Sequence, residues 1–275
     1  MMNHEELVRL ITEEVLRQLA AKGGSCSEPV SAESVKHPPL KVENPDALVQ
    51  MQRRTPARIG VGRAGPRLRT ETLLKLRADH AQARDSVFRD VNEDLLRELG
   101  LFSVTTRCTD RNEHLTRPDL GRQFDEDTAR ELKAKCTAHP QVQIYLSDGL
   151  SSQAVDANAA DILPALTDGL QDLGIGVGTP FFVKYGRVGA MDAISELLDA
   201  EVTCVLIGER PGLATANSMS AYICYRAKVG QPESNRTVVS NIHAGGIPAA
   251  EAGAHIAGVI KTILEKKVSG VDLGA

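Results

Sequence analysis

The amino-acid sequence predicts an α/β protein, and three observations support that class. The 275 residues are 42% hydrophobic and 25% charged, an ordinary composition for a protein with a substantial core. From Pro140 onward, apolar runs of strand length alternate with segments of helical periodicity. Such alternation is typical of βαβ units with right-handed connections. We therefore predict a mostly parallel, Rossmann-like sheet flanked by helices, with an N-terminal helical extension.

The extension begins with a short amphipathic helix, predicted over residues 4–20. At about 100° per residue its apolar side chains share one face; they are Leu7, Val8, Ile11, Val15 and Leu19. Residues 23–50 are rich in Gly, Ser, Pro and Glu and lack periodicity, which predicts a flexible linker. Residues 1–22 are therefore predicted to dock onto a partner from a tether. The alternative is a terminal helix packed on its own domain.

The predicted α/β domain covers residues 51–275 and opens with an arginine-rich helical part. Six arginines fall within 17 residues, from Arg53 to Arg69. Such a cluster can bind nucleic acid, phosphate or an acidic protein face, or it can be a solvated turn. No aromatic residue interleaves the cluster and the formal net charge of the chain is -4, so nucleic acid is the weaker interpretation.

Three glycines lie inside this arginine-rich part. Gly60, Gly62 and Gly65 match the pattern GxGxxG, which binds dinucleotides where a buried strand precedes it and a helix follows. The polar residues and Pro56 before these glycines do not predict a strand, so no dinucleotide site is assigned. A helix is predicted from Thr70. Its buried side is predicted to carry Leu73, Leu74, Leu76, Ala81 and Val87.

The regular alternation of strands and helices begins at Pro140. VQIYLS predicts a strand, and the helical segment after it closes at Gly174. IGVGTPFFVKYGRV and VTCVLIG predict strands on either side of the helix AMDAISELLDA. SAYICYR and RTVVSNIH predict the last two strands, and a final helix extends from about Pro248 to Lys266.

The candidate site lies after the strands, because open parallel sheets bind ligands beyond the carboxyl ends of their strands. The small polar residues there are Ser147, Asp148 and Ser151, then Glu209, Arg210 and Gly212, and finally Ser240, Asn241 and His243. Together they predict a broad platform for a large ligand. Alternatively, Asp148 and Asn241 are helix caps, and Glu209 and Arg210 form a local ion pair.

Several classes of function lack support in the sequence. No apolar run reaches the roughly 20 residues of a membrane span and no signal peptide is recognised, which predicts a soluble intracellular protein. The five cysteines and seven histidines form no metal-binding motif, and Cys204 and Cys224 are predicted to be buried thiols. No nucleophile elbow, Walker loop or carboxylate pair is present. His243 could act as a general base, but no partner that would orient it is recognised.

Long motifs of this sequence resemble one family. RIGVGRAGPRLRTETLLKLRADHAQARDSV, HLTRPDLGR, LSDGLSS, VGTPFFVKYGRV, GERPGL and SNIHAGG resemble the small subunits of ethanolamine ammonia-lyase, from about Arg54 to the C-terminus. The resemblance implies a Rossmann-like chain that meets a large TIM-barrel subunit, with adenosylcobalamin at their boundary. It implies conversion of ethanolamine to acetaldehyde and ammonia by radical chemistry, with the catalytic residues on the large subunit. That division would explain why this chain lacks catalytic motifs.

The resemblance also implies which residues contact the cofactor. The matching positions are Val188 in VKYGRV, Glu209 in IGERPG and Val238 in RTVVSN. Glu209 would accept a hydrogen bond from an amide of the corrin rim. The family is expected to have cysteine where this chain has Val238, so a backbone or van der Waals contact is expected there. A DxHxxG motif is absent, so dimethylbenzimidazole is expected to stay on the cobalt.

The family setting gives the N-terminal helix an interpretation. Ethanolamine-degrading enzymes are often housed in bacterial microcompartments, so residues 1–22 are a candidate targeting peptide for a compartment shell in the bacterial cytoplasm. Two other functions stay open from the residues alone: a non-catalytic docking or scaffold protein, and a free-standing nucleotide-binding α/β enzyme. No nucleic-acid or membrane partner is expected. The sequence does not determine subunit stoichiometry or the function of the Arg53–Arg69 cluster.

Overall fold

The computed structural model describes residues 42–55 and 57–274, in two compact units that divide between Arg67 and Leu68. The first unit contains helix α1 (Pro45–Arg53) and the short strand β1 (Arg63–Ala64), and β2 (Arg67–Leu68) lies at the division. Asn44 caps α1 by accepting a hydrogen bond from the amide of Ala47 at 3.0 Å, and proline occupies the first turn.

Helix α1 begins inside the segment 23–50 that composition predicts to be a linker. The capping asparagine and the following proline are local signals that start a helix, and averaging composition over the segment does not reveal them. The division after Arg67 also differs from the predicted domain boundary at residue 51. The predicted helix over residues 4–20 and the predicted linker up to residue 41 lie outside the described residues.

The second unit contains a six-stranded sheet in the order β3-β5-β4-β6-β7-β8. The strands are β3 (Phe102–Thr105), β4 (Val142–Ser147), β5 (Phe181–Lys184), β6 (Val202–Gly208), β7 (Met219–Tyr225) and β8 (Thr237–Ile242). The pairs β3–β5, β5–β4 and β4–β6 are parallel, whereas β7 is antiparallel to both β6 and β8. Five of these six strands therefore point the same way, which confirms the predicted mostly parallel sheet.

Helices flank both faces of this sheet. They are α2 (Thr70–Phe88), α3 (Glu93–Glu98), α4 (Arg111–Thr116), α5 (Glu126–Lys135), α6 (Ser152–Asp172), α7 (Ala190–Leu198) and α8 (Ala249–Lys266). Turns of 3₁₀-helix lie at Leu120–Arg122, Glu233–Asn235 and Gly270–Gly274. Among the described residues, no helix combines the length and the apolar composition that crossing a membrane requires.

Two core layers hold the helices onto the sheet. The first core layer packs α6 and α8 against one face, mainly with Ala, Val, Ile and Leu side chains. The second core layer packs α5 and α7 against the other face, around Tyr145 and Phe181. Strands β4 and β6 are buried along their whole length, as expected for central strands covered on both faces. Cys204 and Cys224 are buried free thiols, which confirms that prediction.

Helix α2 forms as predicted, but its predicted buried side is wrong. Leu73 is 40% exposed and Leu74 is 58% exposed. The buried residues of α2 are Ala83 and Ser86, near its C-terminal end. Helical spacing identifies which residues share a face, but it does not indicate how much of that face another element covers.

Candidate functional site

The site lies at the edge of the sheet where β4, β5 and β6 end. The chain runs from β4 through α6 to β5 on one side of β4, and then through α7 to β6 on the other side. The chain therefore adds β5 on one side of β4 and β6 on the other, so the order in which strands are added to the sheet reverses at β4. Ligands of α/β proteins bind beyond the carboxyl ends of the strands at such a reversal.

Two glycines allow the loops after β4 and β6 to approach closely. Gly149 has a φ of +51°, and the neighbouring amide of Leu150 donates to the carbonyl oxygen of Gly208 at 3.0 Å. A Cβ on Gly208 would collide with the backbone carbonyl of Ser151. Ser151 caps α6 by accepting from the amide of Ala154 at 3.2 Å. The backbones at the two strand ends are therefore held in fixed contact.

Asp148, one of the predicted strand-end residues, is a buried partner of Arg111. Its side chain is 1% exposed, and one carboxylate oxygen lies 2.9 Å from Nη2 of Arg111. The other oxygen accepts from the amide of Tyr185 at 2.8 Å. Burial raises the pKa of Asp148 to about 6, although Arg111 acts in the opposite direction. Asp148 is therefore not a helix cap; its neighbour Ser151 is.

His114 completes this buried cluster from helix α4. Its Nε2 lies 2.9 Å from the carbonyl oxygen of Gly149, so Nε2 carries the proton and donates it. Burial lowers the pKa of His114 to about 4, and the charges of Arg187 and Arg111 add to the effect. Nη2 of Arg187 donates to the carbonyl oxygen of His114 at 2.5 Å. A neutral histidine in this setting connects α4 to the strand ends and does not serve as a base.

A groove of about 700 Å³ opens beside the cluster. Its walls are mainly apolar and come from α2, α4 and the loops after β4, β5 and β6; they include Ala83, Val87, Phe88, Leu115, Pro118, Leu150, Pro211 and Leu213. Three arginines also line it: Arg84, Arg187 and Arg210. Within the described part of the chain, none of these arginines forms an ion pair with a carboxylate. The predicted local ion pair of Glu209 with Arg210 does not form.

Glu209 instead bonds to Tyr222. The hydroxyl of Tyr222 on β7 donates to Oε1 of Glu209 at 2.9 Å. Tyr222 also pairs in register with Val238 on β8, so these two side chains share a face of the sheet. Val188, which follows β5, packs against the same second core layer as Tyr222. The three residues predicted to contact the cofactor thus project on one face, where Val238 is 46% exposed.

The third predicted strand end does not join this site. Ser240 and Asn241 lie within β8, not after it, and β7 separates β8 from β6. Two strand spacings place β8 roughly 10 Å from β6. Both ring nitrogens of His243 are engaged in its own loop: Nε2 lies 2.8 Å from Oδ1 of Asn241, and Nδ1 accepts from the amide of Gly245. His243 is therefore a loop residue, and Asn241 does not cap a helix.

Sequence reasoning missed four residues of the site: Arg111, His114, Arg187 and Tyr222. Arg111 and His114 stand on a helix of six residues, too short for a periodic pattern. Tyr222 lies inside an apolar run and has the signature of a core residue. A signal was available for Arg187, since it directly precedes the predicted contact Val188.

These features define an α/β protein with a mostly parallel six-stranded sheet and a groove at the carboxyl ends of its central strands. The model of the ethanolamine ammonia-lyase light chain matches residues 45–274, and the chain belongs to that family.

Individual relatives agree with the family match. The chain is 61% identical over 231 residues to the ethanolamine ammonia-lyase small subunit of Clostridium tetani, an alignment that covers 84% of this chain and 78% of that relative. It is 59% identical over 230 residues to the small subunit of Fusobacterium nucleatum, again covering 84% and 78%. It is 56% identical over 237 residues to that of Clostridium perfringens, covering 85% and 80%.

Proposed function

We propose that this chain forms one wall of an adenosylcobalamin pocket and that the large subunit of ethanolamine ammonia-lyase forms the other. The chain would act as a Rossmann-like cobalamin-binding domain within the lyase that converts ethanolamine to acetaldehyde and ammonia. When bound, adenosylcobalamin supplies the adenosyl radical that begins such a reaction. The observation that carries the proposal is the hydrogen bond from Tyr222 to Glu209 beside Val238, on the face of the sheet where Val188 also packs, together with the family membership.

The chemistry of this surface fits a corrin. A corrin presents a broad apolar ring and a rim of amide side chains, so it needs apolar contacts and hydrogen-bond acceptors. Val238 is 46% exposed and Val188 is half-buried, and both offer apolar contact area. Glu209 uses Oε1 to accept from Tyr222, which leaves Oε2 without a protein partner in the described region. That oxygen would accept from an amide N–H of the rim.

Each residue of this wall would bind or orient, and none would react. Tyr222 would hold the Glu209 carboxylate in one orientation through the bond from its hydroxyl. Val238 would contribute a van der Waals contact, because its side chain cannot donate or accept a hydrogen bond. The valines would also exclude water from one side of the pocket. Residues that contact ethanolamine would come from the large subunit.

Replacing Glu209 tests this assignment directly. Glu209→Ala should weaken binding of adenosylcobalamin to the assembled complex by roughly 1–3 kcal/mol, the cost of removing one partner of a buried hydrogen bond. Tyr222→Phe should have a smaller effect, about 1 kcal/mol, because the carboxylate remains but is less well oriented. The measurement is equilibrium titration followed by cobalamin absorbance. Glu251→Ala, at an exposed position on α8, is the matched control. Unchanged affinity in Glu209→Ala would exclude Glu209 from the pocket.

We also propose that residues 1–22 direct the complex to the shell of a bacterial microcompartment. The support is the apolar stripe of the predicted helix and the glycine- and proline-rich sequence that follows it. Deleting residues 1–22 should leave turnover of ethanolamine intact and reduce the share of enzyme that sediments with compartments. A truncated complex that loses activity would contradict the proposal, because the helix would then belong to the enzyme core.

A further inference from the structure

A buried ion pair links helix α7 to the start of strand β8. Nη2 of Arg236 donates to Oδ2 of Asp192 at 2.7 Å. The side chain of Arg236 is 2% exposed and that of Asp192 is 8% exposed. Nε2 of Gln231 donates to Oδ1 of Asp192 at 3.1 Å. On the other side, Glu233 forms an ion pair with Nη1 of Arg236. Both partners are therefore held by further contacts, and the geometry of the pair is fixed.

Each partner lies next to one of the two valines that we propose to contact the corrin. Asp192 is in the first turn of α7, four residues after Val188, and the carbonyl oxygen of Val188 accepts from the amide of Met191 at 3.1 Å. Arg236 is two residues before Val238 and has an extended backbone, with φ of -97° and ψ of 125°. Side chains two residues apart in an extended chain project to the same side. Arg236 and Val238 thus share the side on which α7 lies, and one contact connects the two segments that carry the valines.

Stability alone does not require an ion pair at this position. Removing two charges from water is costly, and well-packed apolar side chains in place of a buried ion pair often give equal or greater stability. A charge-assisted hydrogen bond differs from apolar packing because it fixes both a distance and a direction. Apolar side chains in the same places could slide past one another. The Asp192–Arg236 pair is therefore suited to setting the distance between two segments.

We infer that Asp192 and Arg236 are positioning residues that set the distance between Val188 and Val238 for the cofactor. The inference rests on the proposed function and adds to it two residues that act through the valines and not on the corrin itself. Without the bond between them, α7 and the start of β8 would each form but would no longer be held at one separation. The corrin would then lose close contact with at least one valine.

The test measures turnover of ethanolamine by the complex of the full-length chain with the large subunit, over a range of adenosylcobalamin concentrations. Asp192→Asn keeps the shape of the side chain and removes its charge, and it should raise the KM for adenosylcobalamin about tenfold. Arg236→Lys keeps a charge but loses the fork that reaches two carboxylates, so its rise should be smaller. Turnover at saturating cofactor and the KM for ethanolamine should not change. An unchanged KM for adenosylcobalamin in both variants would overturn the inference.

A double variant separates positioning from stability. Asp192→Leu combined with Arg236→Met removes both charges at similar volume, so the thermal unfolding of this variant should stay close to that of the wild-type chain. Its KM for adenosylcobalamin should nevertheless stay raised about tenfold, because the directional bond is lost. A double variant that recovers the wild-type KM together with the wild-type stability would overturn the inference, since the pair would then only stabilise the fold.

Replacing one of the valines gives an independent measurement. Val238 is 46% exposed, so the fold should tolerate Val238→Ala. If the pair acts through the valines, combining Val238→Ala with Asp192→Asn should raise the KM by less than the product of the two separate rises. Rises that simply multiply would overturn the inference. Asp127→Asn, at an exposed ion pair on α5, is the matched control and should keep the wild-type KM. Failure of the wild-type complex to bind adenosylcobalamin would overturn the proposed function itself.

Discussion

Replacing His114 with glutamine should remove a loss of stability that acid causes in the wild-type chain. Burial holds the pKa of the native histidine at about 4, against 6.5 as its ordinary value. As the pH falls from 6.5 towards 4, the unfolded chain binds a proton at this position that the native chain excludes. Acid therefore favours unfolding through this group, by about 2 kcal/mol between pH 7 and pH 5. Glutamine can keep the donated bond to Gly149 but cannot titrate.

Asp148 acts in the opposite direction over the same range. Its native pKa is about 6, against 3.8 as its ordinary value, so the native chain takes up a proton first as the pH falls. This uptake favours the native state by about 1 kcal/mol between pH 7 and pH 5. The wild-type chain shows only the difference between the two effects. Each single variant removes one effect and leaves the other unopposed.

The assay is urea unfolding of the full-length chain followed by circular dichroism at pH 7 and pH 5. Relative to wild type, His114→Gln should lose less free energy of unfolding on acidification, and Asp148→Asn should lose more. Each comparison uses the change between the two pH values, so a uniform cost of the substitution cancels. His255→Gln, an exposed position on α8, controls for replacing a histidine. If His114→Gln loses as much as wild type, His114 is not a buried neutral group.

Two further substitutions test the packing around the site. Gly208→Ala should destabilise the chain by about 1–3 kcal/mol in thermal unfolding, because the added Cβ would collide with backbone. Gly212→Ala should not, because a Cβ there would meet backbone atoms only at ordinary van der Waals distances. Equal effects would refute the close approach at Gly208. Arg236→Met should lower the free energy of unfolding by about 3–5 kcal/mol, because it leaves its buried carboxylate partner Asp192, 2.7 Å away, without an ion pair. Arg130→Met, at an exposed ion pair, should lower it by at most about 1 kcal/mol. Similar losses for the two variants would contradict the burial of the Arg236–Asp192 pair.

The second half of the fold could be predicted from the sequence because its strands and helices have clear periods. VTCVLIG is continuously apolar, as a central strand must be, and it forms β6. Gly174, with a φ of +71°, ends the helical segment where the sequence predicts. The reversed direction of β7 was not predicted, since alternation of apolar runs carries no information on strand direction.

The site could be predicted only in part, because its geometry depends on contacts distant in sequence. Glu209 was identified both as a strand-end residue and by resemblance. Its partner Tyr222 stands 13 residues later on a neighbouring strand, and only the pairing of β6 with β7 brings them together. Asp148 was predicted to face a ligand, but it is buried in an ion pair with Arg111, which stands 37 residues earlier in the chain. Neither contact leaves a local pattern.

The central claim is that this chain contributes one wall of the cobalamin pocket and no catalytic machinery. The measurement is ammonia release from ethanolamine by this chain alone, by the large subunit alone and by their mixture, with adenosylcobalamin present throughout. One wall leaves much of the corrin in water, so the isolated chain should bind the cofactor weakly and release no ammonia. The mixture should gain tight binding and ammonia release together. Ammonia release by this chain without the large subunit would contradict the claim and identify a free-standing enzyme.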